Sequence, residues 1–246
     1  MLTGDDGLLA PSWAPLPVTF GERRYEEVWG TEFWGLVHGA LRPGISILDV
    51  GAGRRPTIAV GGRPAGVTYV GLDASGEQLE TSPAGSYDET VVTDASRPLP
   101  ALVGRFDLIV AWQVLEHFRE LRPAAQAFHS YTRDDGWFVA CLSGRHAAFA
   151  VANRLLPDQL GARLVSRLRR RPLDEVFTAH YDLCDERGLR HAFSDWSELH
   201  VFPLWRGADY FEHLPRLRAA YIRYEDWAIR RRFGNLATHY VVAARR

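Results

Sequence analysis

The chain has 246 residues, of which 46% are hydrophobic, 12% aromatic and 24% charged, and this is the composition of one folded globular domain. Its formal net charge is −1 and it contains no lysine, so no overall positive field attracts nucleic acid or an anionic membrane surface. Two cysteines and the lack of any apolar run of about 18–20 residues exclude the disulfide-rich and membrane-spanning classes, and the composition excludes collagen-like and disordered chains.

Residues 1–41 are predicted to form an N-terminal arm followed by a helix. The arm, up to about Pro17, is rich in proline and glycine, which is typical of an extended segment. From Glu22 to Leu41, apolar side chains recur at steps of three and four, and this spacing predicts one face of a helix. Pro43 and Gly44 then end the helix, because proline disfavours the helical conformation of the residue before it.

Residues 42–144 predict the core of a parallel sheet. Five short apolar runs predict its strands, which are Ile45–Val50, Val67–Leu72, Thr90–Val92, Phe106–Ala111 and Trp137–Leu142. Helical segments are expected between the strands, including one after the turn that follows the first strand and one over Gln113–Arg119. Unbroken apolar strands that alternate with helices are typical of a parallel sheet covered on both faces.

Residues 145–180 predict a helical cap inserted after the fifth strand. Its two helices are expected over His146–Leu156 and Leu160–Arg170, and the second carries a run of arginines up to Arg171. We expect this insertion to lie over the edge of the sheet where ligands bind. A run of arginines on one helix, without flanking aromatic platforms, is not the pattern of an RNA or DNA site.

Residues 181–246 are expected to complete a seven-stranded sheet. The pattern predicts a helix over Tyr181–Leu189, a strand over Phe193–Phe202 and a long helix over Gly207–Arg232. The last strand, Thr238–Ala243, follows a tight turn. We therefore expect it to be an antiparallel partner at the edge of the sheet.

The most specific pattern joins a Gly-rich turn to acidic residues at the ends of the next strands. Asp49 precedes the turn Gly51–Gly53, Asp73 ends the second predicted strand, and Asp94 follows the third. In an open parallel sheet, ligands bind beyond the carboxyl ends of the strands. A carboxylate 24 residues after Asp49 suits hydrogen bonds from both ribose hydroxyls of an adenosine.

A dinucleotide cofactor fits this turn poorly. The third glycine of a dinucleotide-binding motif would fall at Pro56, which has no backbone N–H to donate to a pyrophosphate. Asp49 would repel a phosphate at the mouth of the turn, whereas it suits a cofactor that bears an ammonium group, either directly or through water. A P-loop is excluded because it requires a lysine. A nucleotide-sugar or NAD enzyme is therefore disfavoured.

Five segments together resemble the class I S-adenosylmethionine-dependent methyltransferases, namely Leu48–Gly53, Val70–Asp73, Thr93–Ala95, Phe106–Val110 and Val114–His117. The resemblance covers about residues 22–144 and, more loosely, the closing strands. It implies an α/β fold with a Rossmann-like, mostly parallel seven-stranded sheet that has helices on both faces, here with a helical cap after strand five. It also implies S-adenosyl-L-methionine as cofactor and S-adenosyl-L-homocysteine as product.

The resemblance further implies which residues contact the cofactor. These cofactor-binding residues are Asp49, Gly51, Ala52, Gly53, Asp73, Ala74, Asp94, Ala95, Ala111, Trp112 and Gln113. Asp49 and the Gly-rich turn would hold the methionine part. Asp73 would bind the ribose hydroxyls and Asp94 the adenine amine. Ala111, just past the fourth predicted strand, would offer its carbonyl to the ammonium group.

Three histidines are candidates for a general base. Methyl transfer from a sulfonium is an in-line displacement, so the protein must align the nucleophile with the methyl group. A hydroxyl nucleophile also needs a base, and histidine suits that task near neutral pH. The predicted topology brings His117, His146 and His180 near the methyl group. For His117 the alternative is a structural hydrogen bond at the start of a helix.

Glu116 and His117 resemble a metal-binding pair that a minority of relatives use, among them small-RNA 2′-O-methyltransferases and quinone-pathway O-methyltransferases. In this chain Gln113 stands where the small-RNA enzymes have a further acid. A divalent ion of this kind requires several oxygen ligands. We therefore predict no metal site.

Two functions from different classes stay open. The first is an S-adenosylmethionine-dependent methyltransferase that acts on oxygen of a small molecule, in secondary-metabolite or glycan- or lipid-linked biosynthesis. The alternative is a non-catalytic S-adenosylmethionine-binding regulatory or scaffold protein. Asp5 and Asp6 are unlike the basic start of a signal peptide, so we expect a cytoplasmic protein. We also expect a monomer or homodimer, with neither nucleic-acid nor integral membrane contacts.

Overall fold

The computed structural model describes residues 18–148, 150–151 and 178–246. These residues form one seven-stranded sheet in the order β3-β2-β1-β4-β5-β7-β6. The strands are β1 Ser46–Val50, β2 Thr68–Asp73, β3 Glu89–Val92, β4 Phe106–Trp112, β5 Thr132–Ser143, β6 Glu198–Leu204 and β7 His239–Arg245. The first five are parallel, whereas β7 is antiparallel to both β5 and β6. The predicted fold class is confirmed.

Helices cover both faces of the sheet. They are α1 Thr31–Ala40, α2 Gly76–Glu80, α3 Leu121–Tyr131, α4 Glu186–Ala192 and α5 Pro215–Arg230. Alternate residues of β4 enter two separate cores: Leu108 packs in the core that contains Phe33 of α1, and Ile109 packs in the core that contains Phe128 of α3. Because both faces are buried, the central strands β1 and β4 are apolar at most positions, and this explains the apolar runs in the sequence.

Three predicted helices are shorter in the structure. The helix expected over Glu22–Leu41 begins only at Thr31, because Gly30 adopts a φ of 80°, which no helix interior allows. The segment Gln113–Arg119 forms only a 3₁₀ turn over Leu115–His117. No α-helix follows the Gly-rich turn, where the described residues form a 3₁₀ turn over Val60–Gly62.

The closing segment also differs from prediction. The helix expected over Tyr181–Leu189 begins at Glu186, because the Asp185 carboxylate caps it by accepting from the Gly188 backbone N–H at 2.8 Å. The long helix is interrupted before α5, where Pro215 occupies its first turn. The prediction that the last strand lies at the sheet edge is wrong: β7 lies between β5 and β6, and β6 forms the edge.

Parts of the prediction lie outside the described residues. These are the N-terminal arm, the second cap helix Leu160–Arg170 and most of the first cap helix. The division of the chain at residues 41, 144 and 180 stays a prediction. Among the residues that the structure does describe, none of the helices combines the length and the apolar character required to cross a bilayer.

A buried ion-pair cluster, the N-terminal clamp, ties the segment before α1 to α5. Its members are Arg24, Tyr25, Glu225 and Asp226. The Arg24 guanidinium lies 3.1 Å from a Glu225 carboxylate oxygen and 2.9 Å from an Asp226 oxygen. The Tyr25 hydroxyl and the Gly207 backbone N–H also donate to Glu225. Glu225 has no exposed surface, and this burial raises its pKa. The clamp therefore fixes the position of the segment that leads into α1.

Candidate functional site

The Gly-rich turn bends sharply at the carboxyl end of β1. Gly51 has a φ of 68°, and its backbone N–H donates to the Leu72 carbonyl at 2.8 Å. A Cβ atom at Gly51 would lie 2.5 Å from a methyl carbon of Val114, in the loop that follows β4. Glycine is therefore required here for its backbone conformation and for its close contact with a second loop of the same sheet edge.

Asp49 lies fully buried next to this turn. Its carboxylate accepts hydrogen bonds from the Thr57 backbone N–H at 2.7 Å, the Thr57 hydroxyl at 2.6 Å and the Tyr69 hydroxyl at 2.7 Å. Burial raises the pKa of Asp49 to about 6, in opposition to these three donors. In this arrangement Asp49 holds the end of the loop against β2, and full burial is at odds with a direct contact to a cofactor ammonium group.

This burial predicts a pH dependence of folding stability. The folded-state pKa of Asp49, about 6, lies above the ordinary value of 3.8, so the folded state binds this proton more tightly than the unfolded chain. Stability should therefore fall by up to about 3 kcal/mol as the pH rises from about 4 to about 6. Asp49→Asn keeps the acceptor for Tyr69 and can donate to the Thr57 hydroxyl, so it should lack this decrease. Urea unfolding at several pH values measures the difference.

The exposed carboxylate of Asp88 supplies a matched control, because it accepts a hydrogen bond from the backbone N–H of the same Tyr69. Asp88→Asn should leave the wild-type slope in place. Parallel stability curves for wild type and Asp49→Asn between pH 4 and pH 7 would contradict the role assigned to the buried carboxylate.

Asp73 closes the Gly-rich turn from the end of β2. One of its carboxylate oxygens accepts from the Gly53 backbone N–H at 3.0 Å, and the other accepts from the Ser75 N–H at 2.8 Å. Each oxygen has a further lone pair, and the side chain is only half-buried. The carboxylate can therefore still accept two hydroxyl hydrogen bonds. Ala74 next to it is exposed.

Asp94 lies beyond the end of β3. Its exposed carboxylate accepts from the Ser96 backbone N–H at 3.0 Å and from the Ser96 hydroxyl at 2.7 Å, and these hydrogen bonds lower its pKa. Both bonds go to the same oxygen, and among the described residues the second oxygen accepts none. Ala95 beside it is buried. Asp94 thus presents an ionised acceptor at the third strand end.

Four aromatic rings, here called the aromatic wall, close the end of β4. They belong to Trp29, Phe33, Trp34 and Trp112. The Trp112 ring lies 4.8 Å from Phe33, 5.8 Å from Trp34 and 6.1 Å from Trp29, between ring centres. A Cβ atom at Gly30 would lie 2.6 Å from the Trp112 ring, so the N-terminal segment touches the wall through glycine. The wall therefore depends on where the N-terminal clamp places this segment.

The end of β4 differs slightly from the predicted one. Ala111 lies within the strand, paired with Val50 and Ala140, rather than just past it. Gln113 follows with a φ of 56°, which is uncommon for a residue other than glycine. Its side-chain carbonyl accepts from the Ser143 hydroxyl at 3.0 Å. Gln113 therefore links the ends of β4 and β5, and backbone strain of this kind is typical of functional sites.

The structure separates the three predicted base candidates. His117 Nδ1 lies 2.9 Å from the Thr178 carbonyl, which can only accept, so this nitrogen carries the proton. His146 Nε2 lies 3.5 Å from the Asp185 carboxylate, with 38% of its side chain exposed. His180 is exposed, and its backbone N–H donates to the Glu116 carbonyl. All three lie around the loops that follow β4 and β5.

Glu116 is buried between these loops. One carboxylate oxygen accepts from the Ser143 backbone N–H at 3.3 Å, and the other has no hydrogen-bond partner among the described residues. Burial raises its pKa. Its own carbonyl accepts from His180 and Tyr181, so Glu116 anchors the chain where it returns from the predicted cap. No group of three metal-ligating side chains occurs within the described ranges.

A cavity of about 400 Å³ adjoins the aromatic wall on the side of β6. It lies apart from the Gly-rich turn. It shares Trp29 with the wall and is also lined by Gly30. Phe202, Leu204 and Trp205 contribute its apolar surface. The N-terminal segment was not predicted to line the site, because the amphipathic pattern of residues 22–41 indicates only a packed helix.

Comparison with known proteins gives a family and a fold. A family model described as a methyltransferase domain matches residues 30–223. No curated protein matches the chain. Among solved structures, phosphoethanolamine N-methyltransferase 2 of Haemonchus contortus, bound to phosphomonomethylethanolamine and S-adenosylhomocysteine, is similar at 12% identity with a TM-score of 0.53, over 89% of this chain. The chain spans 52% of the length of that enzyme.

Two bacterial structures are similar to the same degree. Geranyl diphosphate C-methyltransferase of Streptomyces coelicolor A3(2), bound to Mg²⁺, geranyl diphosphate and S-adenosylhomocysteine, has 14% identity and a TM-score of 0.51, with 84% of this chain and 74% of that one covered. An S-adenosylmethionine-dependent methyltransferase of Mesorhizobium loti has 15% identity and a TM-score of 0.50, with 83% and 92% covered. At these identities the likeness shows the fold alone.

Proposed function

Because the chain belongs to the class I S-adenosylmethionine-dependent methyltransferases, we propose that it transfers the methyl group of S-adenosylmethionine to a hydroxyl oxygen of a small-molecule acceptor. The match of the family model over residues 30–223 shows the family, and S-adenosylmethionine is the methyl donor of that family. We also propose that the protein is cytoplasmic and that it is a monomer or a homodimer.

The main support for the proposed cofactor site is the hydrogen bond between Asp73 and the Gly-rich turn. The Asp73 carboxylate receives the Gly53 N–H at 3.0 Å, so the acid that ends β2 and the Gly-rich turn form one continuous rim. A ribose placed on this rim meets two oxygens that each have a lone pair left. The adenine would extend toward Asp94 and Ala95, and the methionine part toward Gly51, Ala52 and the end of β4.

The main task of the protein in this reaction is to align the acceptor with the methyl group of the cofactor. The bound cofactor supplies an activated methyl group, and the chain must hold the acceptor oxygen in line with the methyl–sulfur bond, at about 3–3.5 Å. Trp112 and Gln113 are proposed to border the methyl group, because they terminate β4 beside the Gly-rich turn. A hydroxyl acceptor also needs a proton acceptor, and the sequence offers His117, His146 and His180 as the first candidates for that role.

The cavity beside the aromatic wall supports a small-molecule acceptor, and its lining combines apolar side chains with charged ones. Its volume of about 400 Å³ lies in the range of small-molecule sites. Two of the similar structures are named as methyltransferases of phosphoethanolamine and of geranyl diphosphate, which are small molecules. An acceptor seated against Trp29 would lie on the same side of the sheet edge as the end of β4.

Mass spectrometry of the ligands released from the denatured full chain tests the proposal, together with calorimetric titration by S-adenosylhomocysteine. We expect adenosylmethionine or adenosylhomocysteine to be released, or a saturable titration with the product. The release of a dinucleotide, or the absence of any binding by the wild-type chain, would overturn the assignment of the site.

A further inference from the structure

His239 lies at the same edge of the sheet as the proposed cofactor site, although no motif marks it. It is the first residue of β7, and β7 runs antiparallel to β5. The start of β7 therefore meets the carboxyl end of β5, where His239 pairs in register with Ser143. Ser143 in turn donates to Gln113 at the end of β4. The side chain of His239 is buried, with only 5% of the residue exposed.

The hydrogen bonds around Thr238 assign the tautomer of His239. The Thr238 hydroxyl donates its one proton to the Leu204 carbonyl at 3.0 Å. Its oxygen accepts the Arg206 backbone N–H at 2.8 Å, which leaves one lone pair. His239 Nδ1 lies 3.3 Å from this oxygen, a longer contact than the one to Leu204, so we assign the hydroxyl proton to Leu204 and a proton to Nδ1. In the neutral ring, Nε2 is then the basic nitrogen.

The basic nitrogen faces a phenol. The Tyr210 hydroxyl lies 3.5 Å from His239 Nε2, and the two rings are nearly parallel, with centres 6.5 Å apart. Tyr210 belongs to the 3₁₀ turn Gly207–Phe211 and is half-buried, whereas His239 is buried. Of the two groups, Tyr210 is therefore the one that a ligand reaches first.

Trp29 connects this pair to the proposed site. Its ring centre lies 4.5 Å from the His239 ring and 6.1 Å from the Trp112 ring, each in an edge-to-face arrangement. Trp29 also lines the cavity beside β6. The lining of that cavity includes neither Tyr210 nor His239, so a ligand that contacts the pair must extend from the cavity past Trp29. Trp29 in turn contacts Trp112, the last residue of β4.

We propose that Tyr210 and His239 form the acid–base pair for methyl transfer, and that the acceptor is an alcohol or a phenol. This inference rests on the proposed function. Tyr210 is the catalytic residue that contacts the acceptor, and His239 is the base that accepts the proton of Tyr210.

As the new C–O bond forms and the methyl–sulfur bond breaks, sulfur keeps the electron pair and becomes a neutral thioether. The acceptor proton passes to the Tyr210 oxygen, while the Tyr210 proton passes to His239 Nε2. The imidazolium later returns this proton to water.

The test combines nitrogen-15 NMR of histidine-labelled full chain with a transfer assay. In the spectrum we expect the His239 signals, identified by their loss in His239→Gln, to show the Nδ1–H tautomer and to shift in Tyr210→Phe. The assay uses labelled S-adenosylmethionine with catechol and 1-octanol as acceptor probes. His239→Gln and Tyr210→Phe should each lower transfer by about 100-fold or more. The rate in both variants should rise with pH more steeply than in wild type, because hydroxide replaces the missing base.

Two comparisons make the assay specific. His213→Ala removes an exposed histidine close to Tyr210 in the chain and should leave transfer unchanged. Alanine variants of His117, His146 and His180 should retain more activity than His239→Gln. All variants should bind S-adenosylhomocysteine within about twofold of wild type, because neither Tyr210 nor His239 is part of the cofactor rim.

Full transfer by His239→Gln or Tyr210→Phe would overturn the pair. If neither probe is methylated, the NMR spectrum is the test. An Nδ1–H tautomer of His239 whose signals shift in Tyr210→Phe supports the inference. An Nε2–H tautomer, or signals that do not shift in Tyr210→Phe, overturns it. Failure of the wild-type chain to bind S-adenosylhomocysteine would instead overturn the proposed function. The two failures can be told apart, because the tautomer of His239 is measured without cofactor.

Discussion

Asp73→Ala is expected to weaken the binding of S-adenosylhomocysteine by about 2–4 kcal/mol, which is roughly 30- to 1,000-fold. The substitution removes two charge-assisted hydrogen bonds to the ribose. It also removes the acceptor for the Gly53 and Ser75 backbone N–H groups, so the rim between the turn and β2 loses its bridge. Isothermal titration of purified wild type and variant measures the loss.

The control for this experiment lies one turn further along the chain. Glu77 is an exposed carboxylate in the first turn of α2, and Glu77→Ala should leave the affinity within about twofold of wild type. Asp73→Asn, which keeps one acceptor oxygen, should fall between wild type and Asp73→Ala. Equal affinities of Asp73→Ala and Glu77→Ala, in proteins with the same melting temperature, would refute the ribose assignment.

The second large effect concerns folding. Arg24→Ala should lower the free energy of unfolding by about 3–5 kcal/mol, because it leaves the fully buried Glu225 carboxylate without its ion-pair partner. The Tyr25 hydroxyl and the Gly207 N–H remain as donors, but they carry no charge to offset the buried one. Urea denaturation followed by tryptophan fluorescence measures the change.

Arg218 gives the matched surface pair for the N-terminal clamp. Arg218 lies on α5, the helix that also contains Glu225. It pairs with Glu22, whose side chain is 62% exposed. Arg218→Ala should cost no more than about 1 kcal/mol. The double variant Arg24→Met with Glu225→Gln should recover much of the loss, because it no longer buries an unpaired charge. A cost of Arg24→Ala as small as that of Arg218→Ala would contradict the clamp.

The sheet could be predicted from the sequence because its signal is local. Apolar runs such as Phe106–Ala111 are long enough to bury both faces of a strand, and the Gly-rich turn after Val50 admits few backbone paths. The acids at the strand ends were placed correctly for the same reason: a strand end fixes the position of the next residue. The resemblance of these segments to the methyltransferases was confirmed by the family model.

What could not be predicted depends on contacts between distant residues. The helix expected from Glu22 begins only at Thr31, because Gly30 contacts Trp112 and Arg24 is tied to α5. The position of β7 between β5 and β6 follows from strand pairing across the sheet. The apolar pattern of Thr238–Ala243 predicts a strand but does not indicate which strands it pairs with. The burial of Asp49 likewise depends on Tyr69 and Thr57, so the sequence indicates a carboxylate at the turn without showing which way it faces.

The position of β7 has a consequence for biogenesis on the ribosome. The edge strand β6 emerges from the exit tunnel before the strand that joins it to the rest of the sheet, with α5 between them. Until β7 inserts, one edge of β5 and both edges of β6 are without a partner strand, and such edges favour intermolecular pairing. Premature termination within α5 should therefore yield an aggregation-prone fragment that chaperones retain, even though the first five strands are already complete.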